Sequence, residues 1–182
     1  MTENFREFFV VIAESAGTLI GLLFVAVTVT RSRSVDHNQG IGEFRAAASL
    51  LAFTNALVVS LYGLVPGNGY GYPSLIMGII GVVFAAAGVR TTLEQPAGQP
   101  RRWRPLILIV GLLGVFGIEI DEGIRLIHRP ADHSALGVVG DVLITSLLIG
   151  IGRAWELVGH SDAGFVASVR KLFWHATPTH QK

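Results

Sequence analysis

Long apolar stretches alternate with short polar segments along the whole chain. Five of them are long enough to cross a membrane, because an α-helix needs about 20 apolar residues to span the hydrocarbon core of a bilayer. They cover approximately residues 5–30, 44–65, 73–93, 103–127 and 134–158. We therefore expect an all-α fold, a polytopic transmembrane helix bundle of five spans that occupies residues 1–159.

The composition agrees with a membrane protein and excludes several chemistries. Of the 182 residues, 51% are hydrophobic and 15% are charged, and the mean hydropathy is +0.55. The absence of cysteine excludes disulfides, thiolate metal sites and cysteine nucleophiles. No hydrolase or metalloprotease motif is present, and the basic residues flank the spans. We expect neither an enzyme nor a nucleic-acid-binding protein, and no cofactor apart from a bound cation.

Basic residues predict the orientation of the spans, because cytoplasmic connections are rich in arginine and lysine. The first connection is flanked by Arg31, Arg33 and Arg45, and the second by no basic residue. The third is flanked by Arg90, Arg101, Arg102 and Arg104. The N-terminus is therefore predicted outside and the C-terminus inside. Residues 160–182 form a cytoplasmic tail, in which apolar side chains at helical spacing predict an amphipathic helix on the membrane surface or against the inner end of the bundle.

The first span carries a carboxylate, Glu14, inside an apolar run. At 100° per residue, small and polar side chains share one stripe with it: Gly17, Thr18, Gly21, Val25 and Thr28. The opposite face contains larger apolar side chains and is predicted to face lipid: Phe9, Ile12, Leu19, Leu23 and Val27. A charge at this depth requires a wet cavity, a cation or a proton, so the stripe is a candidate functional site.

Two interpretations of the stripe compete. Copies of the first span could surround an axis, so that Glu14 forms a ring of carboxylates above Thr18 and Thr28, as in cation-selective pores. Alternatively, Ala13, Gly17 and Gly21 could form a small-residue ladder against another helix, with Glu14 hydrogen-bonded across the interface. Packing is the commoner use of such a ladder, but packing alone requires no charge.

Three further carboxylates fall at a similar predicted depth in the outer half of the fourth and fifth spans: Glu119, Asp121 and Asp141. Together with Glu14 they could line an acidic outer vestibule that binds or conducts a cation. Simpler interpretations exist for two of them. Asp121, with its neighbour Glu122, could form an ion pair with Arg125 at the end of the helix. Asp141 could cap a span that begins at the next residue.

Two weaker sites complete the candidates. Asn55, near the middle of the second span, is expected to hydrogen-bond between helices, with a role in a conduction path as the alternative. His128, Asp132 and His133 surround a proline on the predicted outer side and could bind a divalent metal. Polar residues in such a loop are more often simply solvated.

The opening of the chain resembles a group of small actinobacterial integral membrane proteins. The resemblance lies in residues 7–29, with a Phe-Phe pair at 8 and 9 and a Gly-Leu-Leu-Phe-Val-Ala run at 21–26, and in residues 56–67. Some members of the group are described as modulators of a membrane-bound AAA protease. The resemblance implies a helical membrane protein and a membrane protease as a partner, and it assigns no site residue.

The patterns together favour a homo-oligomeric channel or a protein that binds and translocates cations. The alternative is an accessory protein that transports nothing and docks a larger membrane partner. In either case the lipid bilayer is the surrounding medium. The excess of arginine over lysine and the abundant alanine, glycine and valine are typical of a GC-rich bacterial source. We therefore expect a multi-pass protein of the bacterial plasma membrane.

Overall fold

The protein is built from α-helices. A computed structural model describes residues 3–33, 39–65, 69–93, 103–130 and 132–158. In these ranges five α-helices form: α1 (Glu3–Arg33), α2 (Gln39–Leu64), α3 (Gly71–Leu93), α4 (Trp103–His128) and α5 (His133–Val158). The prediction of an all-α fold is confirmed. The tail predicted as an amphipathic helix, residues 160–182, lies outside the described residues.

Four of these helices, α1, α2, α3 and α5, are long and apolar enough to cross a membrane. They indicate a membrane protein. The remaining helix, α4, is of similar length but carries four charged residues near its C-terminal end: Glu119, Asp121, Glu122 and Arg125. Its status as a span therefore depends on where those charges point.

The helices pack as a trio and a pair. One group consists of α1, α2 and α5, which all contact one another, and the other is the closely packed hairpin of α3 and α4. The two groups join where α4 packs on α5 and, less extensively, where α3 packs on α2. Side chains from α2, α4 and α5 therefore meet in the interior of the bundle.

The face of α1 that packs in the bundle is not the face predicted. Phe9, Ile12 and Leu23, expected to face lipid, are buried in the core that α1 shares with α2 and α5. Leu19 and Val27 pack against the same core. The prediction was wrong because the partner helices are as apolar as lipid, so large side chains suit either environment.

Glycines allow α3 and α4 to approach closely. A Cβ on Gly123 would lie 2.8 Å from the backbone nitrogen of Leu75 and 3.0 Å from the carbonyl oxygen of Gly71. A Cβ on Gly78 would lie 2.7 Å from the Ile120 side chain, and one on Gly81 would overlap the Phe116 ring. These glycines bring two backbones into contact, which fixes the rotation of α4 about its axis.

The fourth and fifth predicted spans are separate helices. Asp132 lies between them, and its Oδ1 accepts hydrogen bonds from the backbone nitrogens of Ser134 and Ala135, at 3.0 and 3.2 Å. This is the N-cap arrangement that satisfies free amides at the start of a helix. The helix therefore begins at His133, and Asp141 lies within it and does not cap it.

Candidate functional site

Glu119 is the most deeply buried carboxylate among the described residues. It lies within α4, and its exposure is 0%. The glycine contacts between α3 and α4 turn Phe116 and Ile120 towards α3. Glu119, at 60° to Phe116 around the helix, consequently points towards the junction of α4 with α2 and α5. The packing of α4 thus directs its carboxylate into the bundle.

A side-chain amide on α2 meets this carboxylate. Asn55 is also fully buried, and its Nδ2 donates a hydrogen bond to Glu119 Oε2 at 2.9 Å. The same nitrogen donates a longer hydrogen bond, 3.4 Å, to Ser146 Oγ on α5. We call Asn55, Glu119 and Ser146 the buried triad. The prediction that Asn55 hydrogen-bonds between helices is confirmed.

The buried triad contains more acceptors than donors. Glu119 Oε1 and Asn55 Oδ1 are both buried, and neither has a hydrogen-bond partner among the described residues. The Arg125 guanidinium pairs with Glu122 at 2.8 Å and not with Glu119. An ionised carboxylate at such a position keeps an uncompensated charge away from water, which costs several kcal/mol. The site can be neutralised by a bound proton or a small cation.

The next carboxylate along the same helix has a different environment. Glu122 is buried to 5% exposure, yet its Oε1 accepts a hydrogen bond from Arg125 Nη1 at 2.8 Å, and the Arg125 side chain is 55% exposed. The predicted ion pair at this helix end is confirmed for Glu122. Asp121 is exposed on the outside of the helix. Glu122 Oε2 is buried without a partner among the described residues.

The stripe on α1 lies on the outside of the bundle. Its members are all exposed in a single copy of the chain: Glu14, Gly17, Thr18, Gly21, Val25 and Thr28. The two threonine hydroxyls donate to carbonyl oxygens of their own helix, from Thr18 to Glu14 at 2.9 Å and from Thr28 to Phe24 at 2.8 Å. A Cβ on Gly17 or Gly21 would meet no atom within 4 Å. Ala13 differs, since it is buried in the bundle.

Within one copy, the four carboxylates predicted to share a vestibule are dispersed. Glu119 is inside the bundle, whereas Glu14, Asp121 and Asp141 are exposed on α1, α4 and α5. Asp141 borders a shallow groove of about 310 Å³ that is otherwise lined by apolar atoms and glycines, among them Phe5 and Phe8 of α1. A shared acidic layer could arise only between copies.

The candidate metal ligands on the α4–α5 connection have other contacts. His128 Nδ1 lies 2.9 Å from the carbonyl oxygen of Ile124, Asp132 caps α5, and His133 stacks on Phe5 with ring centroids 6.3 Å apart. In the described ranges, no three histidine, aspartate or glutamate side chains are grouped so that they could hold a metal ion. The predicted divalent site is therefore not assembled there.

Sequence reasoning missed two polar residues in the interior of the bundle, Ser146 of the buried triad and the nearby Glu122. Ser146 gives no signal, because a serine in an apolar span is usually bonded to its own helix. Glu122 was assigned only to a surface ion pair, although it is buried. The spacing of three residues between Glu119 and Glu122, which places both on one side of α4, could have indicated that they belong together.

No protein-family model, no curated protein and no solved structure matches this chain. The functional argument therefore depends on the geometry of the interior site and on the exposed stripe of α1.

Proposed function

We propose that this protein binds a small monovalent cation, in the simplest case a proton, at Glu119 and moves it across the membrane. The observation that carries the proposal is a fully buried carboxylate whose Oε2 accepts from Asn55 and whose Oε1 has no partner in the described residues. Isolated ionisable groups inside membrane proteins usually mark proton relays or ion pathways because they are costly to maintain otherwise.

Asn55 and Ser146 suit this role. The Asn55 amide fixes one carboxylate oxygen through Nδ2 and leaves Oδ1 available as a second ligand. Ser146 Oγ lies beside the same nitrogen. Oxygen ligands of carboxylate, amide and hydroxyl type bind hard cations, and a carboxyl group in the same position binds a proton. No bulky cofactor is needed.

The proposal includes a membrane arrangement. We take α4 as a fifth span of a protein in the bacterial plasma membrane. The N-terminus of the chain is then outside and its C-terminus inside. Burial of Glu119 and Glu122 removes two of the four charges from the lipid-facing surface of α4. Arg125 and Asp121 stand within about two turns of the helix end, close enough to reach the interface.

Proton flux in proteoliposomes tests the proposal. Purified protein is reconstituted with a pH-sensitive dye inside, and a potassium diffusion potential drives proton entry. Wild type is expected to carry flux above protein-free vesicles, and Glu119→Gln is expected to abolish it, because the amide keeps the size of the side chain but cannot bind a proton.

Glu14→Gln is the matched control, because it removes a carboxylate that a single copy leaves exposed. It should retain flux if Glu119 is the binding group. Absence of wild-type flux with protons, Na⁺ and K⁺ alike would overturn the proposal, as would equal flux in wild type and Glu119→Gln. Loss of flux only in Glu14→Gln would instead favour a pore lined by α1.

A second candidate function follows from the exposed stripe. The open space around Gly17 and Gly21 favours close approach of another helix to α1, and an exposed carboxylate at Glu14 favours covering it with protein rather than lipid. The partner is a second copy in a homo-oligomer or, in the accessory-protein alternative, a larger membrane protein such as a membrane protease.

Self-association can be tested cleanly because the chain has no native cysteine. Gly17→Cys should form disulfide-linked dimers in membranes if copies meet along the stripe. Ile118→Cys, at an exposed position of α4, is the control and should remain monomeric. Absence of dimers from both variants would remove self-association at this face and leave the accessory-protein alternative.

A further inference from the structure

The buried triad lies inside the bundle, so a proton needs a route to it. The parts of α4 before and after Glu119 differ in polarity. From Pro105 to Ile118 the helix carries no polar side chain, and Phe116, one turn before Glu119, is 1% exposed and packed against Gly81. Along that half, α4 itself offers no side chain that could carry a proton.

The other half of α4 has a series of ionisable groups. Glu122 is one turn further along, about 4.5 Å by helical rise, and Arg125 one turn beyond that. Glu119 and Glu122 are on neighbouring positions of one side of the helix, and each has a buried oxygen without a partner in the described chain, Oε1 and Oε2 respectively. Of Glu119, Glu122 and Arg125, the first two are buried and the Arg125 side chain is exposed.

Helix α3 has a buried polar side chain where it packs on the C-terminal half of α4. Gly71 and Gly78 both contact α4, at Gly123 and Ile120, so Ser74 between them lies on the side of α3 that borders α4. Ser74 is fully buried, and its Oγ has no partner among the described residues. Ser60 is a further buried hydroxyl without such a partner, but it lies 140° from Asn55 around α2 and faces elsewhere.

Few other charged groups face this region. Residues 46–61 of α2, 73–85 of α3 and 142–152 of α5 contain no ionisable side chain. At this end of the bundle Asp121 and Asp132 act on Arg125 through space, and Tyr70 lies on the adjoining connection. The remaining ionisable groups there are exposed: Arg6, Glu7, His128, Arg129 and His133. Burial raises the pKa of Tyr70 to about 12, so its phenol stays neutral under physiological conditions. Among the carboxylates at this end, Glu122 is the buried one, and it is on α4 one turn from Glu119.

We propose that Glu122 relays protons between the α4–α5 end of the bundle and Glu119. This inference rests on the proposed function, since it presumes that Glu119 exchanges a proton. Glu122 takes a proton at the end where Arg125 is exposed and passes it one turn along α4 to Glu119. In the opposite direction α4 offers no comparable group.

Hydrogen–deuterium exchange of the Glu119 carboxyl group, followed by infrared spectroscopy of the full chain in lipid, tests the relay. The carboxyl band that disappears in Glu119→Gln identifies the group. After transfer to D₂O, Glu122→Gln should slow the isotope shift of that band by about tenfold or more, as removal of a positioned proton-transfer group does. Glu122→Asp keeps a carboxylate and should restore most of the rate.

Asp121→Asn is the matched control, because it removes a neighbouring but exposed carboxylate and should leave the rate unchanged. If Glu122→Gln folds and exchanges as fast as Asp121→Asn, the relay is overturned while the proposed function stands. If wild type has no band that Glu119→Gln removes, Glu119 holds no proton, and the relay is overturned together with the proton form of the proposed function. Should Glu122→Gln not fold, Glu122→Ser replaces it: slower exchange than in wild type supports the relay, and a rate equal to that of wild type overturns it.

Discussion

Two carboxylates that look alike in the sequence have opposite environments in the fold. Glu14 and Glu119 each interrupt an apolar run with an acidic side chain. Glu14 lies on the outside of α1, beside glycines at which an added Cβ would meet no atom within 4 Å, whereas Glu119 is enclosed between helices and hydrogen-bonded to Asn55. Of the two, Glu119 is the one hydrogen-bonded to a side chain of another helix in the described structure.

The difference arises from how each helix is held. The glycines of α3 allow direct backbone contact with α4, which fixes the direction of Glu119. On α1, the side that packs is formed by Phe9, Ile12 and Leu23, and the small residues are left outside. Small residues in a membrane helix therefore do not by themselves identify the face that packs within the bundle. The interior contacts are expected to be sensitive to mutation and the outer ones tolerant.

The largest expected contrast in stability is between the hydrogen bonds of the two regions. Asn55→Leu removes the donor to Glu119 Oε2 and should lower the free energy of unfolding by about 2–3 kcal/mol, the cost of leaving a buried polar group unsatisfied. Thr18→Val removes an exposed hydrogen bond within one helix and should change the free energy of unfolding by less than about 0.5 kcal/mol. Denaturant titration in mixed micelles measures both, and equal losses would erase the contrast.

A smaller contrast is expected between glycines. Gly123→Ala places a methyl group 2.8 Å from the Leu75 backbone nitrogen, which cannot rotate away, and should cost about 1–2 kcal/mol through overpacking. Gly17→Ala enters open space and should be neutral or stabilising, since alanine favours helix. Melting temperatures of the two variants provide the comparison. A destabilising Gly17→Ala would indicate that α1 is covered in the protein as purified.

These contrasts also show what the sequence can and cannot predict. The five helices were predicted within a few residues of their ends, because an apolar run of membrane length has few other structures. The face that a helix turns towards the bundle was not predicted for α1. Neighbouring helices and lipid are equally apolar, so the hydrophobic pattern does not distinguish a packed face from a lipid-facing one. Asn55 was identifiable as an interhelical donor. Its partners, Glu119 and Ser146, depend on contacts distant in sequence.

The smallest expected effect concerns alkaline pH at the end of the bundle. Burial raises the pKa of Tyr70 from 10.0 to about 12, so the folded protein holds this proton after the unfolded chain has lost it. The contribution to stability is present below pH 10 and declines as the pH rises towards 12. Tyr70→Phe should weaken that decline in urea titrations at successive pH values. An unchanged pH dependence would mean that the phenol is not enclosed between Phe9 and Gly63.

The most direct test of the central claim is to ask which of the two carboxylates holds a proton inside the bundle. Infrared spectra of wild type, Glu119→Gln and Glu14→Gln in lipid, recorded across the physiological pH range, report protonated carboxyl groups in an apolar environment. We expect a band at high frequency that is lost in Glu119→Gln and kept in Glu14→Gln. A band lost in Glu14→Gln and kept in Glu119→Gln would contradict the account and move the site to the outer face of α1.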